Sequence, residues 1–250
     1  MAGDDPQEPS TRAASFATTH WSVVLAAGGE PSAQAEAALE TLCRSYWQPL
    51  YVYARRRGYG PEDAQDLTQQ FLGRFVRNRS FSLADPARGR FRTFLLKSLQ
   101  NFLADDWRQA HRLKRGGDTM VISLDSLDAE TNCALELAET MTPERAFERR
   151  WAMTLLAQVL ERMAEDYRRA GKGRLFDALK EHLWGTDGAP TYAQVRQDLD
   201  LSEGALRVAV HRLREHYRER LRAEVAQTVS HPSEVDEELR HLIAVVSGAA

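Results

Sequence analysis

The chain has 250 residues, 43% hydrophobic and 28% charged, and its 33 Lys and Arg against 36 Asp and Glu leave a formal net charge of −3. That length fits one large domain or two small ones, and so balanced a charge excludes a uniformly basic nucleic-acid coat: a surface for a polyanion must come from local segregation of charge. Cys43 and Cys133 stand far apart without ligand-like spacing, which argues against a disulfide framework or zinc site and for incidental thiols in a reducing cytosol.

Residues 1–17 are polar, open on the acidic run MAGDD without the apolar core of a secretory signal, and are expected to be disordered. Residues 18–27 carry Trp21, Val23, Val24 and Leu25 and predict a short helix. Leu39, Leu42, Tyr46, Leu50 and Tyr53 recur at helical spacing over 33–57. Gly58 and Gly60 then break the chain, and Pro61, Glu62 and Asp63 form a favourable helix start. Ala64, Leu67, Phe71, Leu72 and Phe75 give this next helix an apolar face. After a polar stretch from Asn78 to Gly89, a third helix is predicted over about 90–110, with Phe91, Phe94, Leu95, Leu99, Phe102 and Leu103 inward.

Residues 116–142 hold six acids and no Lys or Arg, the composition of a linker. Thr142, Pro143 and Glu144 restart helix, continued by Phe147, Trp151, Leu155, Val159 and Met163. A shorter helix follows over 173–184 and a turn over 185–190. Thr191 and Gln194 make a capping box for a short helix ending near Leu199. Asp200, Leu201 and Ser202 form a tight turn into a long helix from Glu203 to about Glu224, with Leu206, Val210, Leu213, Tyr217 and Leu221 as its buried stripe. Beyond Ala226, Val235, Leu239, Leu242 and Val246 fall at helical spacing; this segment is expected to pack on the body or to hold it inactive. No segment reads as a strand, and no apolar run approaches the roughly 20 residues of a membrane helix.

A short helix, a three-residue turn and a longer basic helix read as a helix-turn-helix. In that arrangement the start of the second helix enters the major groove, where Arg207, Val208, His211 and Arg212 would reach base edges. An arginine fork matches the two acceptors of guanine. The later arginines, Arg214, Arg218, Arg220 and Arg222, would meet phosphates, which position but do not specify. The same pattern also fits a solvated amphipathic helix with Glu–Arg pairs. His211 and His216 are at the wrong interval for two metal ligands on one face.

Charge is segregated further upstream. Eleven basic residues lie between Arg74 and Arg115, opposed only by Asp85, Asp105 and Asp106, a local net of +8. Such a concentration marks a polyanion surface. Of its aromatics, Phe75 and Phe91 read as core, while Phe81 and Trp107 could be core or could stack on unpaired bases. The opening of the preceding helix is the opposite, with Glu62, Asp63 and Asp66 and no base. It suits a protein partner or merely the helix dipole.

Three segments carry a family resemblance. PEDAQDLTQQFLGRF, from Pro61 to Phe75, resembles the polymerase-binding helix of extracytoplasmic-function sigma factors, bacterial RNA polymerase subunits. GRFRTFLLKSLQNFLADDWR, from Gly89 to Arg108, resembles their promoter-melting helix. SEGALRVAVHRLR, from Ser202 to Arg214, resembles their recognition helix. The resemblance spans roughly 38–110 and 145–222, in the family's order. It implies an all-α chain of two small helical domains, 18–113 and 143–225, joined by an acidic linker over 114–142 and followed by a helical extension over 226–250. The first domain would dock on core RNA polymerase through Asp63, Asp66, Gln69, Gln70 and Arg74. It would hold the melted −10 promoter strand with Arg79, Ser80, Phe81, Arg88, Arg90, Asn101 and Arg108. The second would read the duplex −35 element with Arg207, Val208, His211, Arg212 and Arg214. The linker would thread through the polymerase, its charge imitating RNA.

An anti-sigma factor is a further partner of that kind, and the location would be cytoplasmic, at the nucleoid when polymerase-bound. Gln65, Gln70, Val208 and Ala209 depart from the family pattern, so promoter preference is not transferable. The rival reading is a helix-turn-helix regulator that binds DNA without polymerase, which leaves the basic first domain unexplained. No Walker loop, dinucleotide fingerprint, metal-binding helix motif or nucleophile elbow is present, so no catalytic site, metal or cofactor is expected.

Overall fold

The structure, a computed structural model, describes residues 20–110, Leu137, 141–184 and 191–248. The segment 1–17, nearly all of the linker with Cys133, and the turn 185–190 lie outside the described residues. Among the described residues there are nine α-helices and short 3-10 turns but no strand, so these residues are all-helical as expected.

The first three helices are α1 (Trp21–Gly28), α2 (Ala33–Arg56) and α3 (Pro61–Arg77). Local chemistry sets their starts: Ser32 accepts the Ala35 amide at 3.1 Å, and Pro61 occupies the first turn of α3. The 78–89 stretch, expected to be merely polar, holds two 3-10 turns, Ser80–Leu83 and Pro86–Arg88. Arg79 adopts a left-handed conformation (φ 52°) that turns the chain back on itself. Gly28 at the end of α1 comes so close to the first turn that a Cβ would lie 2.9 Å from the Ser82 Cα.

Next come α4 (Phe91–Ala110), α5 (Pro143–Arg169) and α6 (Gly173–Leu179). The helix expected over 173–184 gives way after Leu179 to a 3-10 turn, Lys180–Leu183. Then follow α7 (Tyr192–Leu199), α8 (Glu203–Ala226) and, after a further 3-10 turn, α9 (Val235–Ser247).

Helix α2 is the centre. Leu42, Tyr46, Leu50 and Tyr53 are buried as their spacing requires, but so are Trp47, Tyr51, Val52 and Ala54. A single buried stripe fails to describe α2 because α1, α3 and α5 all pack against it. Tyr46 meets the edge of Phe91 on α4 at 5.5 Å and stacks with Phe147 on α5 at 6.5 Å. The segments before and after the linker therefore share one buried core. Polar ties cross the same seam. The Tyr53 hydroxyl donates to Glu144 at 3.3 Å, Arg150 donates to the Gln48 side-chain oxygen, and Arg56 donates to the Met141 carbonyl.

The start of α1 also meets the end of α8. The Trp21 amide donates to the Gln227 carbonyl at 3.0 Å. His20 Nε2 lies 2.8 Å from Glu224 Oε2, and Arg162 pairs with the other oxygen of that carboxylate. Burial, with the Arg162 charge adding to it, pulls the His20 pKa down from 6.5 to about 4. Burial likewise pushes the Cys43 thiol up to about 11, which leaves it an inert thiol at neutral pH.

Phe147→Ala removes a fully buried ring from the seam and should lower unfolding free energy by about 3–5 kcal/mol in urea titration. The depressed His20 pKa sets a pH dependence. Between 6.5 and about 4 the unfolded chain binds a proton that the folded chain refuses, so stability present above 6.5 should fall as pH falls through this window. His20→Gln should flatten that part of the melting-temperature profile.

Candidate nucleic-acid interface

The short helix α7 begins at a complete capping box. Thr191 Oγ1 accepts the Gln194 amide at 3.4 Å, and Gln194 Oε1 accepts the Thr191 amide at 2.8 Å. It ends at Asp200, whose left-handed conformation (φ 51°) reverses the chain within three residues. Ser202 then accepts the Ala205 amide at 3.2 Å and starts α8. Leu206, Val210, Leu213 and Tyr217 are buried as expected, with Leu221 half-buried.

This register turns one side of the N-terminal half of α8 outward. Arg207, His211 and Arg212 are exposed, and Val208 is 49% exposed. Arg207 is held by Glu203 one turn earlier at 2.6 Å, a surface pair that a better anion can displace. Arg214 differs. Its Nε and Nη2 both donate to the His182 carbonyl, at 3.0 and 2.7 Å, so it fastens α8 to the turn after α6. Of the later arginines, Arg218 pairs with Glu215, Arg220 with Asp166 and Arg222 with Asp236.

The basic segment divides similarly. Arg88 is highly exposed beside Asp85, and Asn101 is exposed on α4. Arg108 is also exposed and donates to Asp105 at 2.6 Å. Arg79 donates to the Gly29 carbonyl at 2.6 Å, and Ser80 is half-buried. Phe81, open between core and base stacking on its chemistry and given to the −10 strand by the resemblance, is core: it is 3% exposed, edge-on to Phe75 at 4.7 Å and stacked with Phe91 at 5.9 Å. The turn at Arg79 swings it inward, onto the rings of Phe75 and Phe91. Trp107 is instead 58% exposed.

Arg90 and Arg92 stand at the N-terminal end of α4, the end whose dipole repels cations. Carboxylates come to them. Glu238 of α9, with no exposed surface, meets Arg90 at 2.6 Å and Arg92 at 2.5 Å. Glu148 of α5 meets Arg92 at 2.8 Å, and the Arg92 guanidinium lies 4.1 Å over the Trp151 ring. Burial alone would raise the Glu148 pKa, but the His241 hydrogen bond and the Arg92 charge hold it below the ordinary value. Sequence reading missed Arg92 and Glu238 as partners. A signal was present: Arg92 shares the face of Leu95, Leu96, Leu99 and Leu103, and Glu238 that of Val235 and Leu242, a charge on each of two apolar stripes.

On α3, Asp63, Asp66, Gln70 and Arg74 are exposed and follow one another at helical spacing, with Gln69 half-buried beside them. They share one outward face, beside the buried stripe of Leu67, Phe71 and Phe75.

No protein-family model matches the chain, and neither a curated protein nor a solved structure matches it. No described helix is long and apolar enough to cross a membrane.

The two kinds of arginine on α8 are separable by stability. Arg214→Ala should cost about 1.5–3 kcal/mol by removing a charged donor from a carbonyl. Arg207→Ala should stay within about 0.5 kcal/mol. Chemical denaturation of both variants checks the contrast.

Proposed function

We propose that this chain is a sigma-type subunit of bacterial RNA polymerase that recognises promoter DNA and promotes melting and initiation. The observation that carries the reading is the outward N-terminal half of α8, with Arg207, Val208, His211 and Arg212 exposed after a capped short helix and a three-residue turn. This is where a groove-reading helix needs its free side chains.

In this reading, Arg207 and Arg212 offer their forks to base acceptors, and Val208 offers an apolar contact to a thymine methyl. Displacing Glu203 frees the Arg207 fork for DNA. The basic end of α4 and the preceding turns take the unpaired −10 strand. Arg88, Arg90 and Asn101 supply contacts there, and Phe81 supports the surface from beneath. Separating the strands costs unstacking and unpairing energy, which phosphate contacts on this surface offset. The outward face of α3, with Asp63, Asp66, Gln70 and Arg74, docks on the core polymerase. The acidic linker follows through the polymerase, and the site of action is the cytoplasm. Support also comes from the chain order of these parts, which matches that of the extracytoplasmic-function family the sequence resembles.

Run-off transcription with purified core polymerase over a library of genomic promoters tests this. Initiation should appear at a defined subset of promoters. Arg207→Ala or Arg212→Ala should reduce it by roughly 5- to 150-fold, the worth of a good base contact. Asp66→Lys should weaken association with polymerase while leaving the melting temperature unchanged. Strong binding to duplex DNA without polymerase, together with no added initiation, would establish the polymerase-independent regulator instead.

A further inference from the structure

We infer that α9 is an internal competitor for nucleic acid: its acidic first turn covers the basic end of α4, and a polyanion must displace it to gain Arg90. The inference rests on the proposed reading of that end as a promoter-strand surface.

Charge complementarity is the first argument. Asp236, Glu237 and Glu238 open α9, and Glu234 precedes them. Across from Glu234, Glu237 and Glu238 lie Arg88, Arg90, Arg92 and Lys97, while Asp236 pairs with Arg222 of α8. A groove of about 710 Å³ runs between the two sets, with Arg88, Arg90 and Lys97 on one wall and Glu234 and Glu237 on the other. The Ser230 hydroxyl donates to the Pro86 carbonyl, which brings the start of the extension onto the second 3-10 turn. The acids thus stand where phosphates of a bound strand would stand.

The second argument concerns what opening leaves behind. Were Glu238 the sole partner of Arg92, its departure would strand a buried guanidinium. Arg92 instead keeps Glu148 at 2.8 Å and the face of Trp151. Glu238, once released, is hydrated. Arg90, 29% exposed and paired with Glu238, is the group set free. The contact is therefore built to open on the α9 side while α4 and α5 stay joined. Its outer edge is weak: Arg222 and Asp236, at 2.5 Å, are both largely exposed.

Full-length protein is titrated with a fluorescein-labelled, random-sequence single-stranded DNA of about 20 nucleotides. Wild type, Glu238→Gln and Asp236→Lys are compared, each with and without Arg90→Ala, while amide hydrogen exchange follows α9. Asp236→Lys sets lysine against Arg222 at an exposed position and leaves every buried group in place, so it serves if Glu238→Gln folds poorly. Both variants should speed exchange across α9 and tighten DNA binding by about 5- to 20-fold, a typical coupling between linked sites. Adding Arg90→Ala should erase the gain. If α9 exchange does not rise in either variant, the helix is a fixed part of the fold and the inference is overturned. If exchange rises but affinity does not, while Arg90→Ala weakens wild type and variants alike, the competitor fails and the nucleic-acid surface stands. If no protein binds the DNA more tightly than its Arg90→Ala partner, both fail.

Discussion

The guanidinium of Arg92 is the group around which the described fold closes. It is 3% exposed, and removing a full charge from water costs several kcal/mol even after relaxation. The cost is met by two carboxylates and a ring face, and each carboxylate comes from a different helix: Glu148 from α5 and Glu238 from α9. Helix α5 cannot slide along α4 without taking Glu148 from Arg92, a loss of about 3–5 kcal/mol, whereas α9 can lift because Glu148 and the Trp151 ring stay with the guanidinium. His241 extends the cluster by meeting Glu148 from α9 at 3.3 Å. Tyr46 of α2, packed between Phe91 of α4 and Phe147 of α5, holds α4 and α5 together from the apolar side.

That junction sorts the charge of the chain. A net charge of −3 hides two basic elements, and each has an engaged end and an open one. On α8 the C-terminal arginines are paired with acids of α5, α8 and α9, while the N-terminal half faces outward. Around α4 the arrangement is reversed in direction: Arg90 and Arg92 at its start are covered, while Asn101 and Arg108 further on are exposed. The pairing acids come from the chain itself, so a large basic surface coexists with a slightly acidic total.

Periodicity made most of this legible. The buried stripes of α3, α5 and α8 fall where spacing put them, because each of these helices buries mainly one face and the 3.6-residue repeat reports a face directly. The capping box at Thr191 and the cap at Ser202 were legible for the same local reason. Spacing failed where burial came from several sides, as at Trp47 and Tyr51 on the central α2. It failed also where one backbone torsion decided the outcome: the left-handed Arg79 sends Phe81 into the core, and no composition rule for a polar stretch carries that information. Sites on the surface of α8 were readable as a pattern, but Arg214 was not distinguishable from its neighbours. Its partner is a backbone carbonyl 32 residues away, which leaves no mark in the sequence.

The covered state of α4 bears on specificity under the proposed reading. Phosphate contacts attract any polyanion and carry no sequence information. Fully open arginines at both basic elements would therefore favour indiscriminate binding. With Glu238 already seated, the attraction a single phosphate offers Arg90 is largely cancelled by the carboxylate it replaces. Only a ligand that makes further contacts along the groove, to Arg88, Lys97 and the exposed side of α4, gains enough to exchange places with α9. The N-terminal half of α8 has a lighter guard, one surface carboxylate on Arg207. Duplex contact there is thus open from the outset, and strand contact at α4 is conditional. If the chain is the proposed subunit, which must find a site before opening it, this difference in cover would give its two DNA contacts an order.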